Sequence, residues 1–372
     1  MTNRERALNI IRGKKWDAMP AVHFGYWAEL LVEWAGQGHL SMETAKSWGD
    51  GNAADREIDK LLGWDFNYYN CSGSRNGLSP VFEHKVIERL PDGFVRVQNA
   101  CGLIERMREG AEGIPAEDDY LLKDREAWET LYKPKLQFSA ERVPFDYYNA
   151  QYNEKFDKED RPRGIMLGSL LGEIRNMVSV VGMSYLIGDD YDLFREIVDT
   201  YAELQYRCAA GILSTKARFD YGHYWEDVCF KNGPLISPVM FEDLFSGHYK
   251  KRNELCRKNG IDLISLDCDG DIVRLAPIWY DCGVRVMFPI EVGSWGGNIL
   301  TIREKSNPGM MGVGGMDKTV LRKDKKAVDA EIERLKPLIA SGHYLPCPDH
   351  RLMPGTKWEL TQYYIEKIKK VK

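Results

Sequence analysis

The sequence predicts a (β/α)8 barrel, the TIM-barrel class of α/β fold, and two observations carry that prediction. Short apolar runs alternate with helical stretches along most of the chain, which is the pattern of repeated strand–helix units. Eight such runs can be counted, and eight parallel strands joined by helical crossovers close into a barrel. The candidate strands are residues 19–25, 66–70, 164–168, 219–225, 262–267, 284–290, 310–314 and 344–347.

The predicted helices are bounded by recognisable start and stop signals. Residues 238–258 end before Gly260, and glycine suits the left-handed position that follows a helix. At the start of the chain, Thr2 and Glu5 form a capping box in front of an apolar stripe at helical spacing. The sequence therefore predicts an N-terminal helical extension that precedes the first strand.

Residues 71–160 do not follow the strand–helix pattern. Within them, residues 85–97 predict a β-hairpin around a Pro91-Asp92-Gly93 turn, and residues 103–107 are a candidate third strand of a meander. We interpret residues 71–160 as an insertion that caps the mouth of the barrel. The chain as a whole, residues 1–372, is then a single domain, because a barrel with such additions takes this many residues as one unit.

Composition and charge limit the partners that the protein can have. Of its 372 residues, 44% are hydrophobic and 29% are charged, which allows a full apolar core. The net charge of −5 is spread in runs of mixed sign, so there is no basic stripe for a nucleic acid or an anionic membrane. A small molecule or another protein, including a second copy in a homo-oligomer, is the expected partner.

The location of the protein is predicted from its N-terminus, its apolar stretches and its cysteines. The first residues lead into a helix and not into a secretory apolar region. The most apolar stretch, residues 177–187, is too short and too interrupted to span a bilayer. The eight cysteines are scattered without a Cys-x-x-Cys pair. We therefore expect a cytoplasmic protein with reduced thiols.

Ionisable residues directly follow several predicted strands, where a TIM barrel places its working groups. Asp267 and Asp269 are two residues apart on an extended segment, which directs both carboxylates to one face. Two carboxylates at such a short distance repel each other unless a cation or a proton lies between them. Both are therefore candidate metal ligands, and Asp267 is also a catalytic candidate. Alternatively, one of them caps the next helix or pairs with Arg274.

Three further groups complete the predicted catalytic set. Glu226 directly follows the strand that contains His223, and Glu291 follows an apolar strand, where an unpaired charge is costly. Arg285 or Arg303 would be the ordinary partner of Glu291. His223 is equally well explained as a buried, hydrogen-bonded histidine.

His350 follows the last predicted strand, in a proline-rich turn that would hold an imidazole in place. A histidine in a loop is often only a surface residue. In a closed barrel, however, the last strand lies beside the first, and the strand ends converge. His350 is therefore a candidate site residue.

Aromatic residues crowd the same strand ends. Many of them will belong to the core, but a pocket lined by aromatic rings favours a flat, apolar ligand. No Walker loop, dinucleotide fingerprint, Gly-x-Ser-x-Gly elbow or His-Glu-x-x-His motif is present, which argues against nucleotide enzymes, serine hydrolases and zincins. The predicted substrate-binding residues are Tyr26, Trp27, Tyr69, Tyr224 and Trp225.

A set of short motifs runs over nearly the whole chain. They are Arg4-Glu5-Arg6-Ala7 with Asp17-x-Met19-Pro20-Ala21, Glu226-Asp227 with Asn232-Gly233-Pro234-Leu235-Ile236-Ser237-Pro238, Asp267-Cys268-Asp269-Gly270-Asp271, Phe288-Pro289-x-Glu291, Gly314-Gly315-Met316-Asp317-Lys318 and Pro348-Asp349-His350. As a set they resemble the uroporphyrinogen decarboxylase superfamily. The resemblance is to its corrinoid-dependent methyltransferase branch, which includes the methylcobamide:coenzyme M methyltransferases.

The resemblance implies a metal site. In that branch, zinc is bound by a His-x-Cys-Gly motif on one strand and by a cysteine near the end of the last strand. Position by position, the motif corresponds to Asp267-Cys268-Asp269-Gly270 and the late cysteine to His350. The implied ligands of a divalent metal, zinc by preference, are Asp267, Asp269 and His350, whose oxygen and imidazole donors suit that metal. The loss of the thiolate ligands argues against coenzyme M, a thiol, as the methyl acceptor.

The resemblance also implies an activity. The protein would be an enzyme, a methyltransferase that demethylates a small methoxylated or methylated compound. The methyl group would pass to a cobalt corrinoid, which is either free or supplied by a partner protein. A Lewis-acidic metal would polarise the oxygen of the methyl donor.

The main alternative is a lyase of the uroporphyrinogen decarboxylase kind that acts on a small carboxylated substrate. Those decarboxylases carry Arg-Gln-Ala-Gly-Arg after the first strand and an essential aspartate after the second. This chain has His23-Phe24-Gly25-Tyr26-Trp27 and Tyr69-Asn70-Cys71-Ser72 there, which argues against decarboxylation of a porphyrinogen. A non-catalytic barrel that binds a small molecule is the third interpretation, and metal content separates the methyltransferase from the other two.

Overall fold

The structure, a computed structural model, describes residues 1–109 and 115–371. In chain order its strands are β1 (Val22–His23), β2 (Phe66–Asn67), β3 (Cys71–Ser72), β4 (Lys85–Arg89), β5 (Phe94–Gln98), β6 (Leu103–Arg108), β7 (Ala116–Tyr120), β8 (Gly164–Gly168), β9 (Tyr221–Trp225), β10 (Cys229–Phe230), β11 (Gly233–Pro234), β12 (Leu263–Asp267), β13 (Val286–Ile290), β14 (Met311–Met316) and β15 (Tyr344–Pro348).

The helices alternate with the later strands. They are α1 (Asn3–Ile11), α2 (Ala28–Gly36), α3 (Met42–Ser47), α4 (Ala53–Leu62), α5 (Arg125–Ala127), α6 (Ala150–Lys158), α7 (Leu171–Asp189), α8 (Tyr191–Ser214), α9 (Pro238–Lys258), α10 (Ala276–Asp281), α11 (Ile299–Lys305), α12 (Lys325–Ala340) and α13 (Trp358–Ile368). Shorter helical turns occur at Trp128–Tyr132, Lys133–Leu136, Ala140–Arg142 and Lys318–Arg322. None of the helices in the described residues combines the length and the apolar character needed to cross a membrane.

Seven strands form one sheet in the order β15-β14-β13-β12-β9-β8-β3, and every neighbouring pair in it is parallel. Each of the strands β12, β13, β14 and β15 is almost entirely buried, because helices cover one face and the core fills the other. The prediction of an α/β fold with parallel strands is confirmed. Six of the predicted strands lie in this sheet, namely β8, β9, β12, β13, β14 and β15.

The first two predicted strands are shorter than expected and form a separate parallel pair, β1 with β2. Backbone hydrogen bonds connect this pair to both edges of the large sheet. After β2, Asn70 accepts the N–H of Gly164 (3.0 Å), and after β15, the N–H of Leu352 donates to the carbonyl of Gly25 (3.0 Å). The closed eight-stranded barrel stays a prediction.

The predicted N-terminal helix is confirmed as α1. Thr2 Oγ1 accepts the N–H of Glu5 (3.1 Å), and the Glu5 carboxylate accepts the N–H of Thr2 (2.8 Å), which completes the capping box. Arg4 then forms an ion pair with Asp220 (2.9 Å), the residue just before β9. The helix is thereby fixed beneath the start of the sheet.

The predicted hairpin belongs to a separate antiparallel sheet in the order β4-β5-β6-β7. Its fourth strand, β7, was not predicted because Glu117-Asp118-Asp119 gives it no apolar alternation. The start of the predicted insertion also differs, since Cys71 and Ser72 form β3 and pair with β8 in the parallel sheet. Strands β6 and β7 pack on α7.

A buried arginine holds together the loops at residues 75–77 and 135–142. Arg142 is 4% exposed and donates to the carbonyl oxygens of Arg75 (2.8 Å), Gly77 (2.7 Å), Gln137 (2.8 Å) and Lys135. A buried guanidinium is tolerated because these carbonyls replace its hydration. The two loops that it connects are therefore held against each other.

Candidate active site

Ionisable side chains from four strand ends lie together at the C-terminal edge of the parallel sheet. They follow or end β9, β12, β13 and β15, which are neighbours or near neighbours in that sheet. Such an edge is where parallel α/β proteins place their binding groups. We call this set the strand-end cluster, and its members are Asp227, Asp267, Asp269, Glu291 and His350.

Asp269 lies at the centre of the strand-end cluster. Its Oδ2 is 3.2 Å from Nε2 of His350, and its N–H donates to Oδ1 of Asp227 (3.2 Å). The next residue, Gly270, donates its N–H to Oε2 of Glu291 (2.6 Å). The φ of Gly270 is +83°, and a Cβ there would meet the backbone of Cys229 and Phe230, so the turn requires glycine.

The carboxylates of the cluster disfavour one another's charge. Burial raises the pKa of Asp267 well above its ordinary value, and the charges of Asp269 and Asp227 raise it further. Burial and the charge of Asp269 likewise raise the pKa values of Asp227 and Glu291. A cation or bound protons would stabilise this arrangement.

One oxygen of Asp269 lacks any hydrogen-bond partner among the described residues. Asp269 Oδ1 is buried, although the side chain as a whole is 31% exposed. A buried carboxylate oxygen without a partner is costly, since it has lost its water and gained nothing in return. This oxygen is the strongest structural sign that the cluster holds a ligand.

The raised pKa of Asp267 predicts how stability depends on pH. A carboxyl with a higher pKa in the folded state binds its proton more tightly when folded, so its contribution is full below its ordinary pKa of 3.8. That contribution is lost as the pH rises through the folded pKa. The metal-free protein should therefore unfold more easily at about pH 8 than at about pH 5.

Asp267→Asn should reduce this dependence and raise the free energy of unfolding near pH 8. A tenfold change in proton affinity is worth about 1.4 kcal/mol, which sets the order of magnitude. Denaturant unfolding in a chelating buffer at several pH values measures the difference. Parallel pH profiles for the variant and the wild type would show that Asp267 titrates normally in the folded protein.

Glu226, a predicted catalytic residue, is fully buried and faces away from the cluster. Its carboxylate accepts the N–H of Leu170 (2.9 Å), the N–H of Gly172 (3.2 Å) and Oγ of Ser169 (3.2 Å), and Tyr249 donates to it as well. Burial raises its pKa, and these donors counteract that effect. The carboxylate thus joins the start of α7 to α9.

His223, another predicted catalytic residue, lies in the middle of strand β9, before the strand end that carries the cluster residue Asp227. It is completely buried, and neither ring nitrogen has a hydrogen-bond partner among the described residues. Its ring contacts Tyr69 (4.9 Å between centroids) and Phe288 (5.8 Å). Burial lowers the pKa of His223 to about 3, so the ring is neutral. The alternative prediction of a buried, hydrogen-bonded histidine agrees with the structure in its burial but not in its hydrogen bonding.

The predicted aromatic residues are divided between two sides of the sheet. Tyr69 lies against His223, and Trp225 ends β9 on the same face of the strand. Tyr224 alternates to the helical side, where its hydroxyl donates to Asn253 on α9 (2.8 Å). It cannot line the mouth from there.

The remaining two aromatic residues lie outside the cluster. Tyr26 is 1% exposed, and its ring packs on Trp34 and Trp48, both at 5.6 Å between centroids. Trp27 precedes the first turn of α2 and is partly exposed. Of the five predicted substrate residues, the structure places only Tyr69 and Trp225 beside the cluster.

The alternative partners considered for the acids are not observed. Arg303 donates to the carbonyls of Met310 and Gly342, and Arg285 donates to that of Tyr280. Neither arginine forms an ion pair with Glu291, whose Oε2 instead accepts from Ser294 Oγ (2.6 Å). No aspartate caps the next helix, α10, whose N-cap residue is Leu275, and Asp271 instead accepts the N–H of Val273 in the turn before it (3.0 Å).

His350 is held in place by two residues that the sequence analysis did not identify. Asp349 is buried and accepts the N–H groups of Val292 (3.0 Å) and Gly293 (3.1 Å), so it joins the loops after β13 and β15. Arg351 forms an ion pair with Asp50 (2.6 Å) and lies over the ring of Phe24 (5.2 Å). Asp349 directly follows β15 and Arg351 comes two residues later, so their position after the last strand was the sequence signal that could have identified them.

A second group satisfies the distance requirement for a metal site. In the described residues, His23, Asp55 and Asp59 have potential ligand atoms within 4.8 Å of one another. Their atoms are already partnered: His23 Nε2 lies 2.7 Å from Asp59, its Nδ1 accepts the N–H of Gly25 (2.9 Å), and Asp55 accepts from Trp48 (2.7 Å). The group is therefore complete as a hydrogen-bond network.

Comparison with known proteins shows that the chain resembles solved structures in its fold. No protein-family model matches the sequence, and neither does any curated protein. Among solved structures, a methyltransferase from Methanosarcina mazei aligns with a TM-score of 0.60 at 15% identity, over 99% of this chain and 98% of that one. A candidate vitamin-B12 independent methionine synthase from Listeria monocytogenes aligns at 12% identity over 95% and 98%, with a TM-score of 0.41. The chain therefore shares its fold, over almost its whole length, with a methyltransferase.

Proposed function

We propose that the protein is a methyltransferase that demethylates a small methoxylated or methylated compound and passes the methyl group to a corrinoid. The observation that carries this proposal is the buried, unpartnered oxygen of Asp269 among three carboxylates and one imidazole. The shared fold and the resemblance of the strand-end motifs to the corrinoid-dependent branch support it. The corrinoid is free or is carried by a partner protein.

The proposal includes a closed (β/α)8 barrel. It is supported by the hydrogen bonds that connect the β1–β2 pair to both edges of the seven-stranded sheet, through Gly164 on one side and Leu352 on the other. A parallel bridge between Tyr26 and Leu352 adds to the second connection. In a closed ring, the loops after β1 and β15 would border the same mouth as the strand-end cluster.

We assign a divalent metal, zinc by preference, to Asp267, Asp269 and His350. The donor set fits, because carboxylate and imidazole groups bind zinc and a cation would satisfy the unpartnered oxygen of Asp269. Among the described residues, the potential ligand atoms of these three side chains do not all lie within 4.8 Å of one another, so the side chains would have to move together to bind the ion. When bound, the metal supplies Lewis acidity to the oxygen of the methyl donor.

The chain's own residues would then position the donor and handle the proton. Tyr69 and Trp225 offer aromatic surfaces for a flat, apolar substrate. When the methyl group leaves, the electron pair of the broken bond stays on the donor oxygen, which then needs a proton. Glu291, whose pKa is raised by burial and by Asp269, can hold that proton on its carboxyl. A corrinoid, when bound, would supply the nucleophilic cobalt needed to take up the methyl group.

An assay of methyl transfer tests this function. Metal-loaded protein is incubated without oxygen with reduced cobalamin and a panel of methoxylated aromatics and methylated amines, and methylcobalamin is followed by its absorbance. We expect at least one methoxylated aromatic to give methylcobalamin and an equal amount of demethylated product. Release of carbon dioxide from a small carboxylic acid, with no methyl transfer from any donor, would favour the lyase alternative.

A further inference from the structure

A polar cleft of about 710 Å³ is lined by residues at the start of α4, in strand β3 and at the end of α6. This volume lies within the range of sites for small molecules. None of its lining residues belongs to the strand-end cluster, although Asp50 in the cleft pairs with Arg351, the residue after His350. Its cationic lining residues are Arg56, Lys155, Lys158, Arg161 and Arg163.

The acidic residues that line this cleft already have partners. Glu159 forms ion pairs with Arg161 (2.6 Å) and Arg163. Asp50 forms an ion pair with Arg351 (2.6 Å), which is not a lining residue of the cleft. The third acid, Asp160, accepts hydrogen bonds from Asn3. The charges of Glu159 and Asp50 are therefore neutralised within the protein, whereas Asp160 is bonded only to neutral N–H groups and keeps its charge.

The cations that line the cleft outnumber its acids. Lys155 and Lys158 are three residues apart on α6 and so project from the same side of the helix. Neither forms an ion pair with another described residue, and Arg56 donates only to the carbonyl of Gly51 (2.6 Å). With five cations against three anions, the cleft carries a local surplus in a chain whose net charge is −5.

One further group in the cleft suits a ligand that also has a flat apolar part. Tyr147 is 56% exposed, with its ring against Tyr148 (5.0 Å between centroids), and offers a flat apolar surface. Ser72 Oγ is buried and lies towards the hydroxyls of Tyr148 and Tyr152, so it is not counted as a ligand donor. The cleft therefore combines positive charge with one aromatic face.

We propose that this cleft binds a small polyanion of the diphosphate type. Clustered Lys and Arg side chains recognise phosphate groups by charge-assisted hydrogen bonds, and no glycine-rich loop is required for that. The ligand is either a free diphosphate or the diphosphate of a nucleotide, whose base would pack on Tyr147. The inference is independent of the methyltransferase assignment.

Calorimetric titration with two probes tests the proposal. Pyrophosphate and adenosine diphosphate are titrated into the full-length protein at low salt, without divalent cations, so that neither can bind through a metal in the strand-end cluster. We expect a dissociation constant below about 1 mM for at least one probe. The double variant Lys155→Gln/Lys158→Gln should bind about tenfold more weakly or worse.

The control is Lys323→Gln/Lys326→Gln, which removes two exposed lysines at the start of α12 and should bind as the wild type does. If adenosine diphosphate binds more tightly than pyrophosphate and Tyr147→Ala removes that advantage, the ligand is a nucleotide. Equal affinities for the two probes indicate a free diphosphate. The proposal is overturned if the wild type binds neither probe, or if the lysine double variant binds as tightly as the wild type.

Discussion

Glu226→Ala should lower the free energy of unfolding by about 3 kcal/mol or more, because it leaves several buried donors unsatisfied at a typical cost of about 1 to 3 kcal/mol each. The carboxylate accepts from two N–H groups at the start of α7 and from the hydroxyls of Ser169 and Tyr249. Its removal therefore loosens the contact between α7 and α9. Denaturant unfolding followed by circular dichroism measures the change.

Two variants show whether Glu226 acts through structure. Glu226→Gln keeps the shape and one acceptor oxygen, so it should lose less stability than the alanine variant and retain methyl transfer. Glu242→Ala removes an exposed glutamate from α9 and should change stability little. A stable Glu226→Ala protein that has lost its activity would instead make Glu226 catalytic, as its position after β9 first indicated.

Asp269→Ala and His350→Ala should each lower kcat/KM for methyl transfer by about 10²- to 10³-fold, because each removes a group that is proposed to hold the charge-stabilising metal. Both side chains are partly exposed, at 31% and 23%, so the fold should survive. Initial rates of methylcobalamin formation, together with circular dichroism spectra, separate lost activity from lost structure.

The structure offers a matched control for that pair. His248 on α9 lies 2.9 Å from Asp199, which is a histidine–aspartate contact outside the strand-end cluster. His248→Ala should keep the activity of the wild type. Full activity in both Asp269→Ala and His350→Ala would show that the cluster does not take part in the reaction.

Most of the parallel sheet could be predicted because its signals are local. A strand such as β12 is a short apolar run, and the acids that follow it are adjacent in sequence. The position of Asp267 and Asp269 at a strand end was therefore predictable from the chain alone. The convergence of His350 on Asp269 followed from the order of the strands.

Side-chain direction was less well predicted. In an extended strand, neighbouring residues face opposite sides, so Tyr224 and Trp225 cannot both line one pocket. The structure divides them in this way, and Tyr224 bonds to Asn253 on α9. The alternation of residues along β9 indicated that Tyr224 faces the helices. The prediction of substrate-binding residues instead followed the number of aromatic residues near the strand ends.

Other features depend on contacts that no local pattern records. Glu226 is directed to α7 by donors from a distant part of the chain. Arg142 is buried because carbonyls from two loops surround it. Ser179 breaks the regular geometry of α7 with a φ of 65°, and its hydroxyl accepts the N–H of Gly182 (3.1 Å) where the helix resumes. Each of these requires the tertiary structure.

Metal content tests the central claim most directly. Two preparations of the wild type are compared with the Asp269→Ala and His350→Ala variants. One is purified without chelator, and the other is treated with a chelator and then reconstituted with zinc. The metal content of each is measured by elemental mass spectrometry. We expect about one zinc per chain in the wild type and a large loss in both variants. A wild-type protein that binds no divalent metal, or variants that bind as much as the wild type, would contradict the assignment of Asp267, Asp269 and His350 as the metal site.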